Sequence, residues 1–156
     1  MKILLIEDSR FLRSAIEKIL AKVGCEVVSM ADGRDALPAA RNHLPALVLL
    51  DMMLPGLEGT AVLGELKGDP ATKDIPVIVL TGLSKQNEVK LRKAGAAAYI
   101  EKSSLDLEKS AHTLVDIIAS VLGTSLQIPA ELSAEKAESV EPQVEIQDGL
   151  SKGTTA

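Results

Sequence analysis

Apolar and polar residues alternate in blocks along the first 123 residues, and each block has the length of one strand or one helix. Short apolar runs predict strands that are buried on both faces, and they lie at residues 3–6, 47–50, 76–80 and 96–100. A further strand is predicted at residues 26–30. Because buried runs of this kind are typical of parallel sheets, we expect helices to cover both sides of the sheet.

Apolar residues at helical spacing follow each of these strands. Ser9 is a suitable N-cap for a first helix that Gly24 ends. Four further helices are predicted at residues 34–42, 60–67, 85–94 and 104–123. The second of them has Asp32 as candidate N-cap and contains Pro38, which counts against a regular helix over its full length. Five strand–helix units predict an α/β fold, a doubly wound five-stranded parallel sheet with helices on both faces.

The sequence changes character after Gly123. Residues 124–156 contain two lysines and six acids, a charge of −4, whereas residues 1–123 contain 15 basic and 16 acidic side chains, a charge of −1. The low aromatic content and this bias predict one domain at 1–123 followed by a disordered acidic tail at 124–156. The alternative to a plain solvated tail is a short helix at 130–140 that folds only on a partner.

The composition argues against several classes of function. The only aromatic residues are Phe11 and Tyr99 and the net charge is −5, so neither a base-stacking platform nor a basic nucleic-acid surface is expected. The single cysteine, Cys25, has no partner for an internal disulfide. No apolar stretch is as long as a signal-peptide core or a membrane span, and we expect a soluble, cytoplasmic protein without membrane contact.

Polar side chains stand where four of the predicted strands end. Glu7 and Asp8 follow the first strand, Asp51 the third, Thr81 the fourth, and Lys102 comes shortly after the fifth. Because ligands bind beyond the carboxyl ends of parallel strands, we expect these five side chains to share one pocket. Any one of them alone is more often a helix cap, a turn residue or a solvated side chain. Three converging carboxylates favour a hard cation with oxygen ligands, such as Mg²⁺.

Asp51 is the predicted nucleophile of this pocket. It ends a strand near the middle of the predicted sheet, and the loop at residues 52–56 contains no competing acid. A carboxylate that attacks a phosphoryl donor forms an acyl phosphate, and this reaction depends on positioning and charge neutralisation more than on proton transfer. Mg²⁺ and Lys102 would supply the positive charge, while the Thr81 hydroxyl would donate to a phosphoryl oxygen.

This set of residues resembles the receiver domain of two-component response regulators, a flavodoxin-like fold, over residues 1 to about 123. An acid pair, a lone acid before a Pro-Gly turn, a threonine and a lysine stand at matching strand ends and in the family order. The resemblance implies that Asp51 is the phosphoacceptor and that Thr81 and Lys102 contact the phosphoryl group. It also implies a regulator that catalyses only its own phosphorylation and dephosphorylation.

The resemblance further implies a metal site. Glu7, Asp8 and Asp51 would bind Mg²⁺, and the backbone carbonyl of Met53 would complete the ligands from the protein. Met53 would also lie at the mouth of the pocket with Leu83, two residues after the threonine. Because neither side chain orients a water molecule, we expect a phosphorylated state that lasts for minutes or longer.

The implied switch residues are Thr81 and Tyr99, of which Tyr99 matches the aromatic residue that turns inward on activation. A core or interface tyrosine is the alternative for Tyr99. The implied phosphodonor is a histidine kinase or a histidine phosphotransfer protein, and the downstream protein target is unknown. Output through a newly opened partner site, through a phosphorylation-dependent homodimer or through onward phosphate transfer all stay open. The helix at 85–94, the fifth strand and the last helix form the predicted output face.

Two features depart from the family pattern. Family members commonly carry proline directly after the lysine, often joined by a cis bond, whereas Ser103 stands here. A cis bond before serine costs about 3 kcal/mol, so the state of the bond between Lys102 and Ser103 stays open. An effector domain usually follows a receiver, and this sequence predicts a stand-alone receiver.

Three other classes of protein compete with this interpretation. A haloacid-dehalogenase-like phosphatase also uses an aspartyl nucleophile, but it requires a second aspartate where Met53 stands. A flavodoxin-like mononucleotide binder would carry Gly, Ser and Thr after the first strand, in place of Glu7 and Asp8. The third alternative is a degenerate receiver that acts only as a protein-interaction module, which the complete residue set disfavours.

Overall fold

A computed structural model describes residues 1–82, 88–105 and 111–126 of the chain. Its centre is one parallel sheet with the strand order β2-β1-β3-β4-β5. The strands are β1 (Lys2–Ile6), β2 (Glu26–Met30), β3 (Leu47–Asp51), β4 (Val77–Thr81) and β5 (Ala98–Glu101). This is the flavodoxin-like order, in which β2 adds to one edge of β1 and the later strands add to the other edge, beginning with β3. The predicted fold class is confirmed.

Five helices cover the sheet in the described ranges. They are α1 (Arg10–Lys22), α2 (Ala36–His43), α3 (Gly59–Gly68), α4 (Glu88–Lys93) and α5 (Ala111–Leu122). Short 3-10 turns lie at Gly33–Asp35 and Lys102–Ser104. The predictions for residues 85–87, for Leu83, for residues 106–110 and for the tail from 127 onward lie outside the described residues. In the described part of the chain, no helix is both long enough and apolar enough to cross a membrane.

Each face of the sheet has its own apolar core. On one face, β1, β3 and β4 pack against α1 and α5, with Ile16, Leu20, Leu114 and Ile118 among the buried residues. On the other face, α2 packs through the small residues Ala36, Ala39 and Ala40, whereas α3 and α4 pack through the larger residues Val62, Leu63, Leu66 and Leu91. The three central strands are buried on both sides, which explains their continuous apolar sequences.

Several element boundaries differ from the prediction. The last helix was predicted from Ser104, but Ser104 ends a 3-10 turn, Leu105 is not helical and the described helix begins at Ala111. Asp32 accepts a hydrogen bond from Arg34 N, but this bond caps the 3-10 turn, and the α-helix begins only at Ala36. Pro38 then lies in the first turn of α2, where its missing N–H has no helical partner to lose. The fifth strand begins at Ala98 instead of Ala96, because the Ala96 amide closes the end of α4 by donating to Leu91 O.

Candidate functional site

The carboxylates predicted to bind a cation meet at the carboxyl edge of the sheet, where β1 and β3 lie side by side. Glu7 and Asp8 directly follow β1, and Asp51 is the last residue of β3. One oxygen atom from each of the three side chains lies within 4.8 Å of the others. The helices that follow β1 and β3 pack on opposite faces of the sheet, so the acids line the crevice between them, where ligands of this fold class bind.

Glu7 is fully buried, and hydrogen bonds hold both its backbone and its carboxylate. Its backbone amide donates to Met30 O at 3.0 Å, which ties the end of β1 to the end of β2. The Ser9 amide donates to Glu7 Oε1 at 3.0 Å. Burial, together with the nearby charge of Asp51, raises the pKa of Glu7 to about 7 although the Ser9 amide and Lys102 oppose this shift.

Asp51 is fully buried as well, and the loop after it is closed against it. Asp51 Oδ1 accepts a hydrogen bond from Met53 N at 3.0 Å, and Gly59 N donates to Met52 O at 3.2 Å. A Cβ atom at position 59 would lie 2.4 Å from Met52 Cα and 2.7 Å from the carbonyl oxygen of Asp51. Position 59 therefore requires glycine if the loop is to lie this close to the carboxylate.

Asp8 is the exposed member of the acid cluster. Burial acts to raise its pKa, but the carboxyl groups of Asp51 and Glu7 interact with it and hold the pKa of Asp8 below its usual value. Burial is the first cause of the raised pKa of Glu7, whereas at the exposed Asp8 the contacts with the neighbouring carboxyl groups outweigh the effect of burial on its pKa.

Lys102 directly follows β5, and its side chain extends along the edge of the sheet to the acids that follow β1 and β3. Its Nζ atom lies 2.9 Å from Asp51 Oδ2 and 3.1 Å from Glu7 Oε2, and it donates a hydrogen bond to Glu7 Oε1 at 3.3 Å. Burial alone would lower the pKa of Lys102, but the two carboxylates raise it. The peptide bond to Ser103 is trans. The missing proline therefore does not keep the lysine away from the acids.

Two buried oxygen atoms in this cluster make the site suitable for a cation. Glu7 Oε2 and Asp51 Oδ2 are inaccessible to solvent and accept no hydrogen bond from the described residues. Lys102 Nζ lies at ion-pair distance from both atoms, but its direction does not form a hydrogen bond with either. Buried carboxylate oxygens without donors are costly unless a positive charge compensates them. The donor set of carboxylate oxygens fits Mg²⁺, which prefers hard oxygen ligands.

Thr81 and Tyr99 lie on the β4 and β5 side of the same edge. Thr81 is buried as the last residue of β4, one position beyond Leu80, the residue that pairs with Asp51. Tyr99 pairs with Val79 and packs half-buried on the face covered by α2, α3 and α4. Alternation along the strand puts Thr81 and Tyr99 on this same face. Burial, followed by the charges of Glu88 and Glu101, raises the pKa of Tyr99.

The side chain of Met53 points outward, with 68% of the residue exposed. It borders an open groove of about 420 Å³ that is lined by Met52, Met53, Leu54, Glu58 and Thr60. The predicted role of the Met53 carbonyl as a metal ligand stays a prediction, and so does the role of Leu83.

The sequence interpretation missed three residues that hold the loops of the site. Arg13 donates from its guanidinium to the backbone carbonyl of Glu7 at 2.8 Å. Gly33 lies so close to the loop after Asp51 that a Cβ atom there would be 2.5 Å from Leu57 O, and Gly59 packs on Asp51 itself. Arg13 was detectable in principle, because it lies in the first turns of a helix that begins directly after the acid pair.

Comparison with known proteins gives the family of the chain. The family model described as "Response regulator receiver domain" matches residues 3–113. The chain belongs to the response regulator receiver domain family. It is a phosphorylation-dependent signalling switch of two-component systems, a class of protein that interacts with histidine kinases or phosphotransfer proteins.

Two curated relatives illustrate the range of this family. "Probable transcriptional regulator ycf27" of Porphyridium aerugineum is 39% identical over 102 residues, which cover 65% of this chain and 41% of that protein. "Protein PilG" of Pseudomonas aeruginosa is 34% identical over 103 residues, which cover 65% of this chain and 76% of that protein. The chain therefore spans less than half the length of one relative and about three quarters of the other.

Two solved structures share the fold closely. The phosphorylated cyanobacterial phytochrome response regulator RcpA is 32% identical, with a TM-score of 0.70, over 80% of this chain and 96% of that chain. The receiver domain of the sensor histidine kinase PA1611 of Pseudomonas aeruginosa, with magnesium in its active-site cleft, is 27% identical, with a TM-score of 0.70, over 79% of this chain and 98% of that chain.

Proposed function

We propose that Asp51 is the residue that accepts the phosphoryl group. Its burial at the end of a central strand and its position between Lys102 and the other two acids support this assignment. In the proposed reaction an Asp51 carboxylate oxygen forms a bond to phosphorus, while the bond between phosphorus and the imidazole nitrogen of a phosphohistidine breaks. The electron pair of that bond leaves with the donor imidazole.

Glu7, Asp8 and Asp51 would hold Mg²⁺, with the Met53 carbonyl as a further ligand. The two buried oxygen atoms without hydrogen-bond donors support this proposal, as does the bound magnesium in the related PA1611 receiver domain. Bound Mg²⁺ supplies positive charge to the phosphoryl oxygens. Lys102 would add a second positive charge, and its contact with Asp51 supports this role.

The phosphoryl group would change the state of the switch through Thr81 and Tyr99. Thr81 would donate its hydroxyl to a phosphoryl oxygen, and Tyr99 would move inward on the face that both residues share. The altered output surface would then comprise the region of α4, β5 and α5. We propose a regulator that catalyses only its own phosphorylation and dephosphorylation and does not contact nucleic acid. A homodimer formed on phosphorylation is compatible with this output face.

The test is the phosphorylation of purified protein by acetyl phosphate with Mg²⁺. The Asp51→Asn variant is expected to lose labelling completely, because an amide is a poor nucleophile and contributes no charge to the cation site. The matched control is Asp116→Asn, which makes the same change at an exposed position of α5. Labelling of Asp51→Asn at the level of the control would place the acceptor elsewhere. A wild-type chain that takes no label would favour the degenerate receiver.

A further inference from the structure

A single residue of α1 holds three consecutive backbone carbonyls of the loop that carries Glu7 and Asp8. The Arg13 amide donates to Ser9 O at 2.9 Å, which is an ordinary bond of the first helical turn. The Arg13 guanidinium turns back along the chain, and its Nη1 atom donates to Glu7 O at 2.8 Å and, more weakly, to Asp8 O at 3.5 Å. Within the described part of the chain, these two carbonyls have no other donor.

These contacts fix the backbone from which the two acidic side chains project. Glu7 is anchored at its amide by Met30 O, at its carbonyl by Arg13 and at its carboxylate by the Ser9 amide. The side chain of Asp8 is exposed and contacts only the other two carboxyl groups of the cluster among the described residues, so the direction of its carboxylate depends strongly on the backbone of the loop. Without Arg13, the carbonyls of Glu7 and Asp8 lose their described donors, and the bond from the Leu12 amide to Ser9 Oγ is left as the side-chain link between this loop and α1.

We propose that Arg13 is a positioning residue that orients Glu7 and Asp8 towards a divalent cation. The inference rests on the proposed function of the acid cluster as a Mg²⁺ site. Arg13 would act through the loop and would touch neither the cation nor the phosphoryl group. Partners that orient metal ligands typically contribute a factor of about 10–100 to metal affinity.

Charge repulsion and positioning predict opposite changes in Mg²⁺ affinity when Arg13 is removed. The guanidinium is a permanent positive charge beside a site for a cation, so by Coulomb repulsion alone its removal would tighten the binding of Mg²⁺. If Arg13 acts by positioning, its removal weakens that binding instead. The sign of the change in affinity therefore separates a positioning role from a simple charge effect.

The experiment measures the dissociation constant of Mg²⁺ by titration calorimetry for the wild type, Arg13→Met and Arg13→Lys. The control is Arg10→Met, which removes the same charge from an exposed position in the first turn of α1. We expect Arg13→Met to bind Mg²⁺ about 10-fold more weakly, Arg13→Lys to lie between it and the wild type, and Arg10→Met to stay within about 2-fold of the wild type. Unchanged or tighter binding by Arg13→Met would overturn the proposal.

A second measurement keeps the test valid if the methionine variant unfolds. Arg13→Lys retains the charge and one donor group, and it provides the folded variant for this measurement. Hydrogen exchange of the Ser9 amide, which donates to Glu7, is measured without metal and is expected to be about 10-fold faster in the Arg13 variants than in Arg10→Met. If the wild type binds no Mg²⁺, the proposed metal site fails, whereas unchanged Ser9 exchange refutes the role of Arg13 itself.

Discussion

The site has two halves. The acidic half comprises Glu7, Asp8 and Asp51 at the ends of β1 and β3. The phosphoryl half comprises Thr81 and Lys102 at the ends of β4 and β5. In the acidic half, Glu7 and Asp51 each accept a hydrogen bond at 3.0 Å from the amide two residues further along the chain. In the phosphoryl half, Lys102 finds its partners across the sheet, and its bond to Glu7 spans 95 positions of the sequence. One half is organised locally, and the other depends on the assembled fold.

This difference indicates what each half does before a phosphodonor arrives. The two amide bonds fix each carboxylate relative to its own loop. The ammonium group of Lys102 instead neutralises the same oxygen atoms that would hold Mg²⁺. Bound there, Mg²⁺ would supply part of this positive charge, and the charge of Lys102 would be available to the phosphoryl group.

The largest effect should come from Lys102→Met, which removes the cation of the phosphoryl half. We expect labelling by acetyl phosphate to slow by about 100-fold, because one electrostatic contact to the transferred group is lost. The Mg²⁺ affinity should stay equal or increase, because no ammonium competes for Asp51 and Glu7. Lys18→Met, at an exposed position of α1, is the control. Weaker binding of Mg²⁺ in Lys102→Met would show that the lysine also organises the acidic half.

A smaller effect is expected on the free energy of unfolding, and it comes from the proton that Glu7 binds. Its pKa is raised from 4.5 in the unfolded chain to about 7, so the metal-free native state binds this proton more tightly than the unfolded state does. This contribution to the free energy of unfolding is present below about pH 4.5 and is lost as the pH rises to about 7. We expect urea unfolding to show a loss on the order of 1–3 kcal/mol over this range in the wild type relative to Glu7→Gln. Parallel pH curves for the two proteins would contradict the assignment.

Met53→Asn should change the lifetime of the acyl phosphate without disturbing either half. The exposed methionine offers no group that orients a water molecule, whereas asparagine does, so the phosphate should be lost several-fold faster. The measurement is the decay of label after removal of the donor, with Leu54→Met, in the neighbouring part of the loop, as a control for packing. An unchanged decay rate in Met53→Asn would remove this side chain from the account of the lifetime.

The smallest effect should come from removal of the tail. Truncation after Leu126 is expected to leave labelling and the melting temperature unchanged, since residues 127–156 contain none of the predicted site residues. Truncation after Gly123 also removes Leu126, which packs against the core beneath α5, and should lower the melting temperature by about 2–4 °C. A fall of many degrees in the melting temperature after truncation at Leu126 would show that the tail packs on the domain.

The sequence predicted most of the fold because both faces of the sheet leave periodic apolar patterns. It also predicted that Glu7, Asp51 and Thr81 lie together at one edge of the sheet, since they stand at strand ends that parallel topology brings to that edge. The sequence did not predict contacts made by side chains between distant elements. Neither strand periodicity nor residue type indicates that Lys102 bonds Glu7, or that Arg13 turns back to the carbonyls before its own helix. Such contacts depend on rotamers and loop paths.

Tyr99 has a consequence for the optical properties of the protein. The chain contains no tryptophan and a single tyrosine, so its near-ultraviolet emission originates almost wholly at one position of β5. That position is half-buried and lies beside Glu88, a carboxylate near enough to raise the pKa of the phenol. A movement of the ring would change its solvation and its distance from this quencher. The unlabelled protein thus carries its own spectroscopic reporter of the strand next to Thr81.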